Sequence, residues 1–216
     1  MAGRPDILYL GRSRLHRSRA NLIQTFGTVE GFEELGVRVE LWLPAWPRGV
    51  RLADKAAELG VSRRLDVRGS GWLHPRWGFW PFVLRHWRHL AQAGTLYTRV
   101  PEISAVLAAF GLRHHLEVHD VASLLDGRRG RRLVARHRRG TVDMLIPISH
   151  GARQALVEAG AVGERMHVAP SGVRLSDFAG VSRFDPGRLA RPRIVHIGRL
   201  TPERGSRVLA ALAGQD

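Results

Sequence analysis

The 216-residue sequence contains no cysteine and a single lysine, Lys55. Without cysteine there is no disulfide framework, no thiolate zinc site and no cysteine nucleophile. No apolar run reaches the roughly 18 residues that a membrane span requires. The N-terminal Met1–Asp6 leads straight into strand-like residues, without the long apolar core of a signal peptide. Gly-x4-Gly-Lys-Ser/Thr is absent, and the loop after the first strand-like run holds one glycine, Gly11, rather than Gly-x-Gly-x-x-Gly. The first absence removes a P-loop, and the second speaks against a nicotinamide or flavin dinucleotide. Neither a Gly-x-Ser-x-Gly elbow nor His-Glu-x-x-His occurs. His114-His115 is no metal site by pattern, because neighbours on a strand face opposite ways.

What is present is arginine. Basic side chains number 34 against 19 acidic ones, for a formal charge of +15. Such a chain attracts nucleotide phosphates, anionic lipid head groups or nucleic acid, and charge alone does not choose among them. At 44% hydrophobic and 25% charged residues, the composition is that of a globular protein, not of a disordered or fibrous one.

Short apolar runs alternate with helical patterns. Strands are expected over Asp6–Leu10, Val37–Leu43, Val61–Val67, Thr95–Thr98, Leu116–His119, Val142–Ile148, Met166–Ala169 and Arg193–Ile197. Helices are expected from a Ser18 cap to Leu35, then over Leu52–Leu59, Glu102–Phe110 and Gly130–Arg138, from a Ser149 cap to Ala159, and over Pro202–Leu212. This alternation predicts an α/β protein with a parallel sheet covered by helices on both faces. Ligands of such sheets bind at the carboxyl ends of the strands, which directs attention to Gly11–His16, Arg99, His119-Asp120, Ser149 and Pro170–Gly172.

His119 and Asp120 end a strand. A histidine there can donate to a sugar hydroxyl or phosphate oxygen, and the aspartate can orient it; the plainer reading is a loop-capping pair. Gly198, Arg199 and Arg204 lie between the last strand and the last helix, where two arginines beside helix N-terminal amides suit a diphosphate. Gly11, Arg12, Ser13 and Arg14 form a loop with amides and basic side chains able to hold a phosphate. Gly69–Leu90 carries four of the six tryptophans, Trp72, Trp77, Trp80 and Trp87, interleaved with arginine and histidine. Trp80, Val83, Leu84 and Trp87 have helical spacing and are expected to pack on the sheet. Trp72, Arg76 and Trp77 are expected to form a membrane or acceptor surface. In Arg128–Arg139 the buried face is expected to be Leu133, Val134 and His137, with the rest a solvated helix or an anionic-lipid patch.

In order along the chain, Tyr97–Pro101 (YTRVP), Leu116–Asp120 (LEVHD), Ile146–Ser149 (IPIS), Val168–Val173 (VAPSGV) with Phe178, and Ile197–Gly205 (IGRLTPERG) form a series. The series resembles the N-terminal half of a family 4 retaining glycosyltransferase of the GT-B fold, and the resemblance covers essentially the whole chain. It implies a Rossmann-like acceptor-side domain over residues 1–175, a linker over 176–191, and the first strand-helix unit of a donor-binding domain over 192–216. By usual domain size, that second domain lacks roughly 100–150 residues, so the chain alone is expected to turn over little substrate. The implied reaction moves a sugar from a nucleoside diphosphate sugar to an acceptor hydroxyl, for cell-envelope glycolipid or polysaccharide, with no metal and no cofactor.

By the resemblance, His119 contacts the donor sugar, with Asp120 beside it, and Arg199 and Arg204 hold the diphosphate with Gly198. Gly11, Arg12, Arg99, Ser149, Ser171 and Gly172 line the cleft. The sequence departs from the family pattern at Arg204 for Lys, Ser171 for Asn, Arg174 for Asp, and in its single first-loop glycine. The implied partners are a nucleotide sugar, a glycan or lipid-linked acceptor, an anionic membrane surface and a partner chain supplying the donor domain. The implied location is the cytoplasm, peripheral on the membrane's inner face. Alternatives left open are a non-catalytic anionic-lipid- or partner-binding half and a nucleotide-sugar epimerase of the same fold. Nucleic acid is disfavoured, having only the charge behind it.

Overall fold

Burial on both sides marks the first strand and sets the plan of the sheet. Among the described residues the strands are β1 (Ile7–Leu10), β2 (Val39–Pro44), β3 (Asp66–Ser70), β4 (Thr95–Thr98), β5 (His114–Val118) and β6 (Val142–Pro147). They form one parallel sheet in the order β3-β2-β1-β4-β5-β6. The computed structural model describes residues 4–17, 19–61, 63–181, 185–187, 196–197, 201–202 and 205–213. It divides into two compact units, residues 1–174 and 175–216.

The first unit contains α1 (Ala20–Glu34), α2 (Leu52–Glu58), α3 (Trp80–Arg85), α4 (Trp87–Gln92), α5 (Pro101–Ala109), α6 (Val121–Leu125), α7 (Gly127–Arg138) and α8 (His150–Glu158). Side chains alternate along β1 with the period of two that a strand imposes. Leu8 and Leu10 join Phe82, Val83, Leu90, Ile103 and Leu107 in one core. Tyr9 joins Leu22, Phe26, Val29, Leu41 and Leu43 in the other. A third core places Leu116, Val118, Val142 and Leu145 against Leu133, Val134 and Leu156. Each buried Leu or Phe contributes about 1.5–3 kcal/mol. Central strands covered twice read as nearly continuous apolar runs, which is why β1 and β2 were legible.

Helix starts follow local chemistry. Pro101 opens α5 with its φ preset and no N–H to leave unpaired. Asp120 accepts a hydrogen bond from the Ser123 N–H at 3.0 Å and caps α6. Ser149 accepts from the Ala152 N–H at 3.1 Å and caps α8, as its position predicts. The Ser18 cap expected for α1 lies outside the described residues.

Three expectations are corrected. β3 runs Asp66–Ser70, not Val61–Val67: Val61 and Leu65 enter the core from a loop, and their apolar character drew the strand forward. Met166–Ala169 makes a single bridge, Leu145 with Met166, rather than a strand. Trp80, Leu84 and Trp87 do not pack inward; they are 54%, 51% and 39% exposed, whereas Val83 is buried. Helical spacing does not reveal that the chain starts anew at Trp80 and breaks at His86, and Phe79 and Phe82 join Val83 against the sheet. Leu133, Val134 and His137 form the buried face of α7, as expected.

The second unit holds a 3-10 turn at Leu175–Phe178 and α9 (Ser206–Ala213). Of the strand expected over Arg193–Ile197, residues 193–195 lie outside the described residues. No described helix is long and apolar enough to cross a membrane.

His114 on β5 is buried. Its Nδ1–H donates to the Leu112 carbonyl at 2.8 Å and its Nε2 accepts from the Ser104 hydroxyl at 2.7 Å. Burial pushes its pKa down to about 4, although the bond to Leu112 resists the shift. The unfolded chain, near 6.5, therefore takes up a proton that the folded chain refuses. Stability is fully present above about pH 6.5 and falls toward pH 4, by at most roughly 3 kcal/mol. His114→Gln is expected to flatten that acid limb in urea unfolding measured at several pH values; an unchanged limb would refute the assignment.

Candidate functional site

The strand order reverses between β1 and β4, so the connections leaving their carboxyl ends diverge to opposite faces and open a crevice. A cavity of about 740 Å³ lies there. Arg12 and Ser13 enter it from the loop after β1, Arg99 from the turn after β4, and Glu117, His119 and Asp120 from the end of β5. Phe79 contributes to its wall with φ 65°, a left-handed conformation unusual for a bulky side chain. Strain of that kind collects at ligand sites.

The floor is one connected cluster. His119 Nε2 lies 2.5 Å from Glu117 Oε1, and its Nδ1 lies 3.4 Å from Arg99 Nη2. Arginine can only donate, so Nδ1 accepts and the ring proton sits on Nε2, donated to Glu117. The same Arg99 nitrogen donates to Gln24 Oε1 at 2.9 Å, and the Tyr97 hydroxyl donates to Glu117 Oε2 at 2.8 Å. Burial pushes the Glu117 carboxyl up, but hydrogen bonds from His119 and Tyr97, with the charge of Arg99 nearby, outweigh it and hold it below the usual carboxylate range. Burial raises Tyr97, helped by the Glu117 charge, so the phenol keeps its proton and donates. The Tyr9 hydroxyl lies beside Arg99 and Thr25 but makes no hydrogen bond of good geometry, and Arg99 Nη1 is likewise unsatisfied.

The expected residues divide. His119, Asp120, Arg12 and Arg99 meet at the cavity. Asp120 caps α6, and Glu117 rather than Asp120 holds the histidine ring. Gly11 does not offer a free amide: it is buried, and its N–H donates to the Trp42 carbonyl at 2.9 Å. Ser149 is spent as a helix cap. Ser171 accepts from Gln24 Nε2 at 3.4 Å and so reaches Arg99 through one side chain, while Gly172 is exposed beside it. Arg174 forms a 3.0 Å ion pair with the buried Glu30. Gly198, Arg199 and Arg204 lie outside the described residues. Trp72 and Trp77 are 43% and 41% exposed with ring centres 5.8 Å apart, and the Arg76 guanidinium lies 4.8 Å over the Trp77 ring. Pro75 and Gly78, which flank this pair's Arg76 and Trp77 in sequence, also line the cavity.

Glu117 and Gln24 were missed. The signal for Glu117 was a carboxylate inside an otherwise apolar strand tip, which is seldom buried without partners. Gln24 gave none, being one polar residue on a helix. Arg129, Arg132 and Arg136 also line the cavity, where the sequence left them to a solvated helix or an anionic-lipid patch.

Strand order and switch-point cavity define an α/β Rossmann-like protein with its ligand crevice at the carboxyl end of the sheet. The solved structures it is similar to include the Anabaena protein HepE in complex with UDP, at 18% identity and a TM-score of 0.60, over 96% of this chain and 57% of that one. HepE with UDP and glucose aligns at 16% identity and a TM-score of 0.60, over 99% and 59% of the two chains. HepE with UDP-glucose aligns at 16% and 0.51, over 86% and 48%. This chain therefore spans less than two thirds of HepE. At such identities the likeness establishes the fold. No family model and no curated protein matches the sequence.

Glu117→Gln keeps the shape and removes the charge. The variant is expected to lose about 1–3 kcal/mol at neutral pH, because His119 and Tyr97 then face a poorer acceptor. The loss shrinks as pH falls through the native carboxyl's depressed value, where the wild type also protonates. Equal urea midpoints at neutral pH would show that the carboxylate holds nothing together.

Proposed function

We propose that this chain forms the acceptor-side half of a family 4 retaining glycosyltransferase of the GT-B fold. It transfers a sugar from a nucleoside diphosphate sugar to a hydroxyl of a cell-envelope glycolipid or polysaccharide. The observation that carries the reading is the His119–Glu117–Arg99 cluster at the bottom of the switch-point cavity. UDP and UDP-glucose in the HepE structures support a UDP-sugar as the first donor to test.

In this reading the bond from the anomeric carbon to the diphosphate oxygen breaks and a bond to the acceptor oxygen forms on the same face. The acceptor's proton leaves with the diphosphate. Arg199 and Arg204 stabilise charge developing on that diphosphate. His119 supplies orientation. Its bond to Glu117 fixes the ring, and the longer contact to Arg99 is the one a sugar hydroxyl replaces by donating to Nδ1. A group whose orientation is settled before the sugar arrives loses little freedom on binding.

UDP-glucose is expected to bind, with His119→Ala weakening it about tenfold while UDP changes little, in calorimetric titration. Equal weakening of both ligands would move His119 away from the sugar. Failure of UDP-glucose to bind the wild type would count against the donor class.

The tryptophan face is proposed to seat the protein on an anionic bilayer, where lipid-linked acceptors lie. Trp72, Trp77, Trp80, Leu84 and Trp87 are exposed among Arg76, Arg85 and Arg88, and no Asp or Glu occurs between Asp66 and Glu102. Indole at head-group depth and arginine on lipid phosphate suit that interface. Co-sedimentation with phosphatidylcholine vesicles is expected to rise when phosphatidylglycerol is added, and to drop about tenfold in a W72A/W77A/W80A variant. Binding indifferent to anionic lipid would overturn the proposal. The second reading, a non-catalytic lipid-binding half, rests on this same face; vesicle binding without UDP-glucose binding would select it.

A further inference from the structure

Helix α7 forms one wall of the cavity. Arg129, Arg132 and Arg136 line it, at spacings of three and four that place them on one helical face. Leu133, Val134 and His137 turn to the core. The helix is held in that rotation at its start. A Cβ on Gly130 would lie 2.5 Å from Leu125 Cα and 2.7 Å from the Leu124 carbonyl oxygen, so only glycine allows α6 and α7 to approach this closely. Arg136 donates to the Ala105 carbonyl at 2.8 Å. Arg129 and Arg132 make no hydrogen bond or ion pair with another described residue.

The acids around the cavity are already engaged. Glu102 pairs with Arg12 at 3.4 Å, Glu117 serves His119 and Tyr97, and Asp120 caps α6. The arginine row is therefore uncompensated, and like charges at this spacing repel on a helix. Their Cβ atoms lie about 5–6 Å apart, a span from which two guanidinium forks converge on one phosphate group.

We infer that the acceptor is itself a phosphate ester, held through its phosphate by Arg129, Arg132 and Arg136 with its hydroxyl directed toward His119. The inference rests on the transferase reading for the word acceptor, but the anion site stands on α7 alone. It is distinct from the donor diphosphate, which the same reading assigns to Arg199 and Arg204. The phosphate ester is either a soluble sugar phosphate or a lipid head group.

Glycerol 3-phosphate, short-chain phosphatidylglycerol, glycerol and UDP-glucose are titrated separately into the protein at physiological salt. Saturable binding of a phosphate ester is expected, with none for glycerol, and the tighter of the two phosphate probes identifies the source. R129Q/R132Q is expected to weaken that binding at least tenfold, with UDP-glucose affinity changed less than twofold and the unfolding temperature not lowered. R128Q/R131Q, on the outer face of the same helix, is expected to leave it nearly intact. Equal losses in the two double variants would mean diffuse attraction and overturn the site, as would the absence of saturable binding. Phosphate binding that depends on Arg129 and Arg132 without any binding of UDP-glucose would overturn the transferase reading and keep the anion site. UDP-glucose binding with phosphate unaffected by R129Q/R132Q would do the reverse.

Discussion

β1 is flanked by β2 on one side and β4 on the other and is buried on both faces. Parallel strands cannot be joined by tight turns, so each connection crosses a face of the sheet in a helix. Leaving β1 toward β2 and leaving β4 toward β5 sends the chain to opposite sides, and the space between the two departures is the crevice. Everything at the site follows from that divergence: Arg12 comes from one departure, Arg99 from the other, and His119 from the next strand along.

Buried carboxylates then fix segments that the sheet alone leaves loose. Isolated buried charge is costly, and it persists where partners surround it. Glu40 on β2 is paired with Arg68 at 2.7 Å, accepts from the Trp42 indole at 2.5 Å and meets His89 of α4. That single side chain ties the tryptophan segment to the sheet beside the cavity. Glu30 draws Arg174 back to α1. Glu117 does the same at the site, gathering Tyr97 of β4 and His119 after β5. In each case an acid on a rigid element holds a residue distant in sequence.

The tryptophan segment and α7 show how function and packing share a helix. In α3 and α4 the sheet takes Phe82, Val83 and Leu90, and the large indoles are left outward. In α7 the sheet takes Leu133, Val134 and His137, and the arginine row is left toward the cavity. Pro75, Gly78 and Phe79 of the tryptophan segment line the same cavity as the arginine row.

The alternation of apolar runs and helical patterns was enough to read the parallel α/β sheet, because strands covered on two faces are mostly apolar and carry a buried polar group only where partners meet it. It also located His119, Arg12 and Arg99 by the strand-end rule, and the Ser149 cap by its position. It misplaced β3, whose edge position leaves Asp66, Arg68 and Gly69 in the strand. The phase of the tryptophan helix depended on a left-handed Phe79 and a break at His86, neither of which periodicity reveals. Glu117 as the partner of His119, the engagement of the Gly11 amide and the turning of the arginine row into the cavity were decided by tertiary structure. Local sequence determines which residues prefer burial and where helices begin. Which side chain meets which across the crevice depends on strand order and helix rotation, set only when the whole sheet packs.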